Sequence, residues 1–135
     1  MSYFESATSA TFEYQVDVFA MADILLSPHG GQLAGLPFMP PCAQVIELYP
    51  VAFLIPAYFG SLASISGVNH TFFYTGFNDH QARANELRSV GNSVSRVRNL
   101  TPNITKLVRG VREVIENWRT CCETLKLDKS FASSA

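Results

Sequence analysis

The sequence has little charge and no excess of either sign. Charged residues make up 16% of the 135 residues, and ten Lys and Arg are balanced by eleven Asp and Glu, for a formal net charge of -1. A nucleic-acid-binding domain usually carries a basic excess on one face, so this composition argues against that class. Sparse charge combined with ten Phe and five Tyr predicts apolar surface that meets a partner or a second lobe.

The sequence also lacks a long hydrophobic run. Residues 45–60 form the most apolar stretch, but they include Glu47, Pro50 and Pro56. They are also fewer than the ~20 apolar residues that a membrane helix needs. The opening MSYFESATSA has neither a basic region nor an apolar core, so we expect no signal peptide there. We therefore expect no membrane segment in this chain.

Cysteine is scarce and unevenly placed. The three cysteines are Cys42, Cys121 and Cys122, an odd number with one adjacent pair. This arrangement is not a disulfide framework. The sequence contains no CxxC pair and no His-rich spacing of the kind that zinc sites use, so it predicts no metal site.

Short apolar runs alternate with segments of helical periodicity. This alternation is typical of βαβ units and predicts an α/β fold, a Rossmann-like lobe with a short parallel sheet flanked by helices. Proline at positions 37, 40 and 41 is expected to stop the second helix. The predicted helices lie at residues 12–21, 32–36 and 58–66, and the predicted strands lie at residues 24–26, 45–49 and 71–75.

The length fits a single domain. We predict a loose N-terminal segment at 1–11, one lobe at 12–122 and a loose tail at 123–135. Within the lobe, Thr101 before Pro102 is a candidate N-cap. A further surface helix is then expected to dock on the sheet. Its apolar stripe comprises Ile104, Leu107, Val108, Val111, Ile115 and Trp118.

The most informative segment follows the first predicted strand. It reads Ser27-Pro28-His29-Gly30-Gly31-Gln32-Leu33. Glycines admit a ligand close to the backbone and adopt positive φ, and a helix N-terminus offers unpaired N–H groups to a phosphate. Ligands of open α/β sheets bind at this carboxyl edge, where Ser27, His29 and Gln32 would present polar side chains. The alternative is a purely structural turn with His29 on the surface.

Glu47 is a lone carboxylate in an apolar strand. Burial of a carboxylate is costly without a partner. Two interpretations remain open: Glu47 accepts hydrogen bonds from a ribose diol, or it caps a nearby helix N-terminus. The other histidines, His70 and His80, are expected to be solvated.

Together these motifs resemble the C-terminal half of the family 61 glycosyltransferases, over residues 15–74. Gly31 stands where alanine is commoner in that family, and Ala34-Gly35 stands where many members have Thr-Asn. The motifs that carry the resemblance are Gln15-Val16-Asp17, Ala22-Asp23-Ile24-Leu25-Leu26, His29-Gly30-Gly31-Gln32-Leu33, Phe38-Met39-Pro40-Pro41, Val45-Ile46-Glu47-Leu48-Tyr49-Pro50 and residues 58–67.

The resemblance implies the donor-binding lobe of an inverting GT-B enzyme of the Golgi or endoplasmic reticulum lumen. Such an enzyme transfers a hexose or pentose from a UDP-sugar to a glycan or glycoprotein hydroxyl, and it needs no metal or other cofactor. The N-terminal lobe that supplies most of the acceptor site would be missing, so the isolated chain is expected to be inactive. The implied catalytic residue is His29, and the implied donor-binding residues are Ser27, Gly30, Gly31, Gln32, Leu33 and Glu47.

Two other interpretations remain open. The first is a non-catalytic nucleotide-binding or interaction module derived from such an enzyme. The second is an unrelated Rossmann-like enzyme that acts on another phosphorylated substrate.

Overall fold

A computed structural model describes residues 11–76, 84 and 99–132. The predicted helix and strand order is confirmed in these ranges, whereas His80 lies outside them. The division at residues 11 and 122 stays a prediction. The elements are α1 (Phe12–Ala20), β1 (Ile24–Pro28), a 3₁₀ helix (Gly31–Phe38), β2 (Gln44–Tyr49), α2 (Ala57–Ile65), β3 (Asn69–Tyr74) and α3 (Ile104–Ala132).

The three strands form one parallel sheet in the order β1-β2-β3. Leu25 lies opposite Val45, and Val45 lies opposite His70. The expectation that these three segments are parallel neighbours is therefore confirmed. The two connections between them each contain a helix, which is the usual way for a chain to return to the same edge of a sheet.

Both faces of the sheet are covered, as parallel sheets require. Val45 faces one side with Phe19, Leu36 and Phe59, which come from α1, the 3₁₀ helix and α2. The next residue of β2, Ile46, faces the opposite side, where it packs with Leu48 and Val114 and so against α3. The structure therefore confirms the predicted α/β class.

The helix expected to begin at Gln32 is a 3₁₀ helix that runs through Pro37. The expectation that Pro37 would stop it is wrong. Leu33 and Leu36 are both fully buried. They are three residues apart, and a repeat of three residues per turn places them on the same side. Core packing of these two leucines therefore favours the tighter helix.

The helix ends show one agreement and one correction. Gly67 follows α2 with a left-handed φ of 71°, which confirms it as the predicted C-terminal stop. For α3, Thr101 is not the N-cap. The Asn103 side-chain oxygen accepts a hydrogen bond from Lys106 N at 3.0 Å, and the helix begins at Ile104.

The buried face of α3 is rotated from the predicted stripe. Leu107 and Val111 pack with the buried Val114 against the sheet, as a helix face requires. Ile104 and Val108, however, are 65% and 44% exposed. The reason is Gly110, which is buried and brings the backbone of α3 close to the sheet, so the residues around Gly110 form the inner face.

The close approach at Gly110 gives a testable prediction. A Cβ on Gly110 would lie 2.0 Å from Cζ of Phe73. Alanine is favoured over glycine inside a helix by about 1 kcal/mol, but overpacking a core costs about 1–3 kcal/mol. We expect Gly110→Ala to lower the free energy of unfolding by up to about 2 kcal/mol in urea denaturation, the cost of overpacking less the gain in helix propensity. Adding Phe73→Leu should recover part of the loss, and a single variant as stable as wild type would contradict the contact.

A disulfide joins Cys42 to Cys121, with Cα atoms 5.6 Å apart. The cysteine pattern did not predict this single bond, because the number and spacing of cysteines do not show which of them the fold brings together. Cys42 lies in the loop before β2, and Cys121 lies on α3. Cys122 has no disulfide partner. The bond therefore fixes the far part of α3 to the rest of the lobe.

Across the ranges that the structure describes, no helix is long and apolar enough to span a membrane.

Candidate functional site

A pocket of about 390 Å³ lies at the carboxyl ends of β1 and β2. This is the edge at which open α/β sheets bind ligands. Its volume falls within the range of small-molecule sites, about 300–1,000 Å³. The lining residues are Pro28, His29, Gly30, Gly31, Pro50, Phe53, Ile55, Tyr58, Phe59 and Leu100.

Three of the predicted site residues, His29, Gly30 and Gly31, line this pocket. The opposite wall is aromatic and comes from the segment after β2. Phe53 and Phe59 are buried there, whereas Tyr58 is 67% exposed. Sequence reasoning missed this wall, although the density of aromatic residues between positions 49 and 59 is visible in the sequence.

Ser27 and Gln32 are bonded to the turn itself. Gln32 Nε2 donates to Ser27 Oγ at 3.1 Å and to the Pro28 carbonyl at 2.9 Å. Ser27 is buried and its hydroxyl donates to the same carbonyl. The structure thus places these two side chains across the turn instead of in the pocket lining. Their roles as ligand contacts stay predictions.

Leu33 is completely buried in the core beneath the turn. Its backbone N–H donates to the Gly30 carbonyl at 3.1 Å. The structure therefore gives Leu33 a packing role, and its assignment to donor binding stays a prediction.

The glycine pair does not need a left-handed backbone. Gly30 has an extended φ of 167°, and Gly31 has no positive φ. That part of the expectation is wrong. A Cβ on Gly31 would meet no protein atom within 4 Å, so the backbone at Gly31 faces open space. The second reason for a glycine, close approach of a ligand, remains compatible with this geometry.

Glu47 is fully buried and lies between two histidines. Its Oε1 is 2.5 Å from His29 Nδ1, and its Oε2 is 2.7 Å from His70 Nε2. The helix-cap interpretation of Glu47 is therefore wrong, because its partners are imidazole rings. Contact with a ribose stays a prediction.

The His29 ring is held on several sides. It stacks on Tyr49 with centroids 4.9 Å apart, and it also contacts Phe53 and Phe59. The side chain is 12% exposed. Because Glu47 occupies Nδ1, Nε2 is the ring nitrogen left for a ligand. The geometry makes His29 an oriented imidazole at the pocket wall.

His70 is a functional candidate that the sequence interpretation missed. It was expected to be solvated, but its side chain is only 12% exposed and it contacts Glu47. Phe72 lies opposite Glu47, and residues two apart on a strand share a face, so His70 reaches the carboxylate diagonally. A buried glutamate needs a partner, and that need is the signal that points to His70.

The two histidines lower the pKa of Glu47. Burial acts to raise it, but hydrogen bonds from His70 and His29 and the adjacent Tyr49 hydroxyl outweigh burial and lower it below 4.5. Burial, together with the Glu47 carboxylate, raises the pKa of Tyr49 well above its ordinary value. The Tyr49 hydroxyl makes no hydrogen bond of normal geometry in the described part of the chain. Glu47 is thus an anion and Tyr49 a neutral phenol near pH 7.

No group of three or more His, Cys, Asp or Glu side chains suited to a metal ion occurs among residues 11–76, 84 and 99–132.

Comparison with known families finds a match. The model of the glycosyltransferase 61 family matches residues 2–46, a third of the chain. The match includes β1, the turn and the first half of β2, and it ends one residue before Glu47. No curated protein matches the chain. The resemblance found in the sequence is confirmed: over residues 2–46 this chain is similar to the family 61 glycosyltransferases.

Proposed function

We propose that the pocket beside His29 binds the UDP part of a sugar donor, for inverting transfer to a glycan or glycoprotein hydroxyl. The observation that carries the proposal is the position of His29, Gly30 and Gly31 at one pocket wall, on the carboxyl edge of the sheet. The family match supports a glycosyltransferase. The donor class and the GT-B architecture come from the resemblance.

The diphosphate would lie against the turn. Leu33 N donates to the Gly30 carbonyl and so closes the first turn of the 3₁₀ helix. The N–H groups of Gly30, Gly31 and Gln32 come before that first turn is closed, and we expect them to donate to phosphate oxygens. Backbone donors fixed in this way stabilise the charge that develops on a departing diphosphate.

His29 would contact the diphosphate through Nε2. When protonated, the ring donates a charge-assisted hydrogen bond to phosphate, and Glu47 stabilises that cation through Nδ1. Both Glu47 oxygens already accept from histidines. We therefore assign Glu47 the orientation of His29 in preference to a direct ribose contact.

The aromatic wall would hold the base. Tyr58 presents a largely exposed ring beside the buried Phe59. Flat bases stack on such rings with about 1–3 kcal/mol each. The proposal therefore places the uracil toward Tyr58 and the phosphates toward Gly31.

The complete reaction needs an acceptor site, which we place on a second, N-terminal lobe outside this chain. Orientation of two substrates contributes about 7–11 kcal/mol to catalysis. We therefore expect the isolated chain to bind donor without useful transfer. The family suggests the lumen of the secretory pathway, and the disulfide suits that oxidising compartment.

A variant of His29 tests the proposal. Asparagine retains a donor near the position of Nδ1, and so the Glu47 contact, but it has no atom at Nε2. We expect His29→Asn to weaken UDP binding about tenfold in calorimetry, because one charge-assisted hydrogen bond is lost. Uridine, which lacks the phosphates, should bind wild type and variant alike. Equal losses for UDP and uridine, with folding verified by circular dichroism, would place His29 away from the diphosphate.

A further inference from the structure

The second histidine on Glu47 has no role in the function described so far. We infer that His70 is a positioning residue that acts through Glu47 to fix the tautomer and orientation of His29. The inference rests on the proposed function, because it matters for binding only if His29 Nε2 faces the ligand.

The geometry is a continuous row of three side chains across the sheet. His29 follows β1, Glu47 lies on the central strand β2, and His70 lies on β3. Glu47 Oε1 lies 2.5 Å from His29 Nδ1, and Glu47 Oε2 lies 2.7 Å from His70 Nε2. The single carboxylate therefore couples the two edge strands.

The proton positions follow from the chemistry of these groups. An ionised carboxylate only accepts hydrogen bonds, so both facing nitrogens must carry protons. A neutral His29 is then the Nδ1–H tautomer, with its lone pair at Nε2. A protonated His29 donates from Nε2 instead. In both states Glu47 sets the direction in which the ring presents Nε2.

His70 is needed because Glu47 is completely buried. Burial favours the neutral acid, and the hydrogen bond from His70 is the largest single contribution that lowers the Glu47 pKa. Without it, burial is offset by one hydrogen bond fewer, which favours a protonated Glu47 that donates a hydrogen bond. Its proton would then face His29 Nδ1, and a neutral His29 would move its own proton to Nε2.

Few other titratable groups face this row in the described part of the chain. Tyr49, from β2, lies beside Glu47 and under the His29 ring, and Tyr58, from α2, meets the edge of that ring. On the α2 side, His70 Nδ1 packs against Gly60, where a Cβ would lie 3.1 Å away. The tautomer of His29 is therefore set chiefly by Glu47.

Imidazole nitrogen shifts in NMR read the tautomer directly. The chain has three histidines, so a sample labelled with ¹⁵N in histidine gives three ring systems, and His29→Asn assigns the His29 signals. In wild type near pH 9, well above the usual histidine range, we expect His29 to be protonated at Nδ1 and bare at Nε2. A proton at Nε2 in wild type would overturn the inference without any variant.

Two variants of His70 complete the test. His70→Phe keeps a ring but removes the donor, and we expect the His29 proton to move to Nε2. UDP affinity near pH 7 should fall about tenfold, because an anionic Glu47 no longer stabilises the protonated His29 that donates to the phosphate. His70→Gln, whose amide nitrogen reaches the position of Nε2, should restore the wild-type tautomer and most of the affinity. A folded His70→Phe with an unchanged His29 tautomer would overturn the inference.

The tautomer measurement needs no ligand, so it separates the two proposals. If the tautomer moves as expected but wild type binds no UDP, the proposed function fails and His70 remains a positioning residue for His29. If UDP binds wild type but the His29 tautomer is unchanged in His70→Phe, the proposed function stands and the positioning role of His70 fails.

Discussion

Glu47→Ala is expected to destabilise the lobe by about 3–5 kcal/mol, because it removes a fully buried carboxylate that is hydrogen-bonded to two imidazoles. The carboxylate is 0% exposed and holds two imidazoles in place. Its removal leaves both rings without their acceptor and opens a cavity beside Val45 in the middle of the sheet. Urea denaturation followed by circular dichroism measures the loss.

Glu47→Gln is the matched control for that variant. It preserves volume and one acceptor oxygen but replaces the other oxygen with a donor, so about half of the loss is expected. An alanine variant as stable as wild type would mean that the histidine–carboxylate row contributes nothing to the fold.

Removing the disulfide is the second change with a large expected effect. The cysteines are 79 residues apart in the sequence. Opening a loop of that length restores chain entropy worth about 4.5 kcal/mol in the unfolded state. We expect Cys121→Ser to lower the free energy of unfolding by about that amount under non-reducing conditions.

Cys122 provides an adjacent control, because it is next in sequence and has no disulfide partner. Cys122 is half-buried, so Cys122→Ser should change stability by about 1 kcal/mol, as single substitutions commonly do, which is well below the loss expected for Cys121→Ser. Similar losses for the two serine variants would show that the disulfide does not form in the protein.

The sheet was predictable from the sequence because its strands are short apolar runs between helical segments. Ile24, Ile46 and Phe72 each mark one such run, and parallel strands buried on both faces have this pattern. The end of β1 and the start of the turn were predictable because the apolar run ends there. The form of the next helix was not, because the burial of Leu33 and Leu36 is decided by tertiary packing.

The partners of the site side chains were less predictable. His29 was identified from its place in the turn, but His70 is 41 positions away and reaches Glu47 only through strand register. The Cys42–Cys121 bond depends in the same way on how α3 docks. Contacts of this kind depend on how distant segments pack together in the fold, and local patterns in a single sequence do not show that packing.

The central claim, that the turn binds the diphosphate of a UDP-sugar, is tested most directly by titrating UDP into Gly31→Val in a calorimeter. A Cβ on Gly31 meets no protein atom within 4 Å, so the added side chain enters only the space where a ligand would lie. Ala34→Val adds the same side chain to an exposed position on the same helix, outside the pocket lining, and serves as the control. The account predicts that wild type and Ala34→Val bind UDP and that Gly31→Val, equally folded, does not; undiminished UDP binding by Gly31→Val would contradict it.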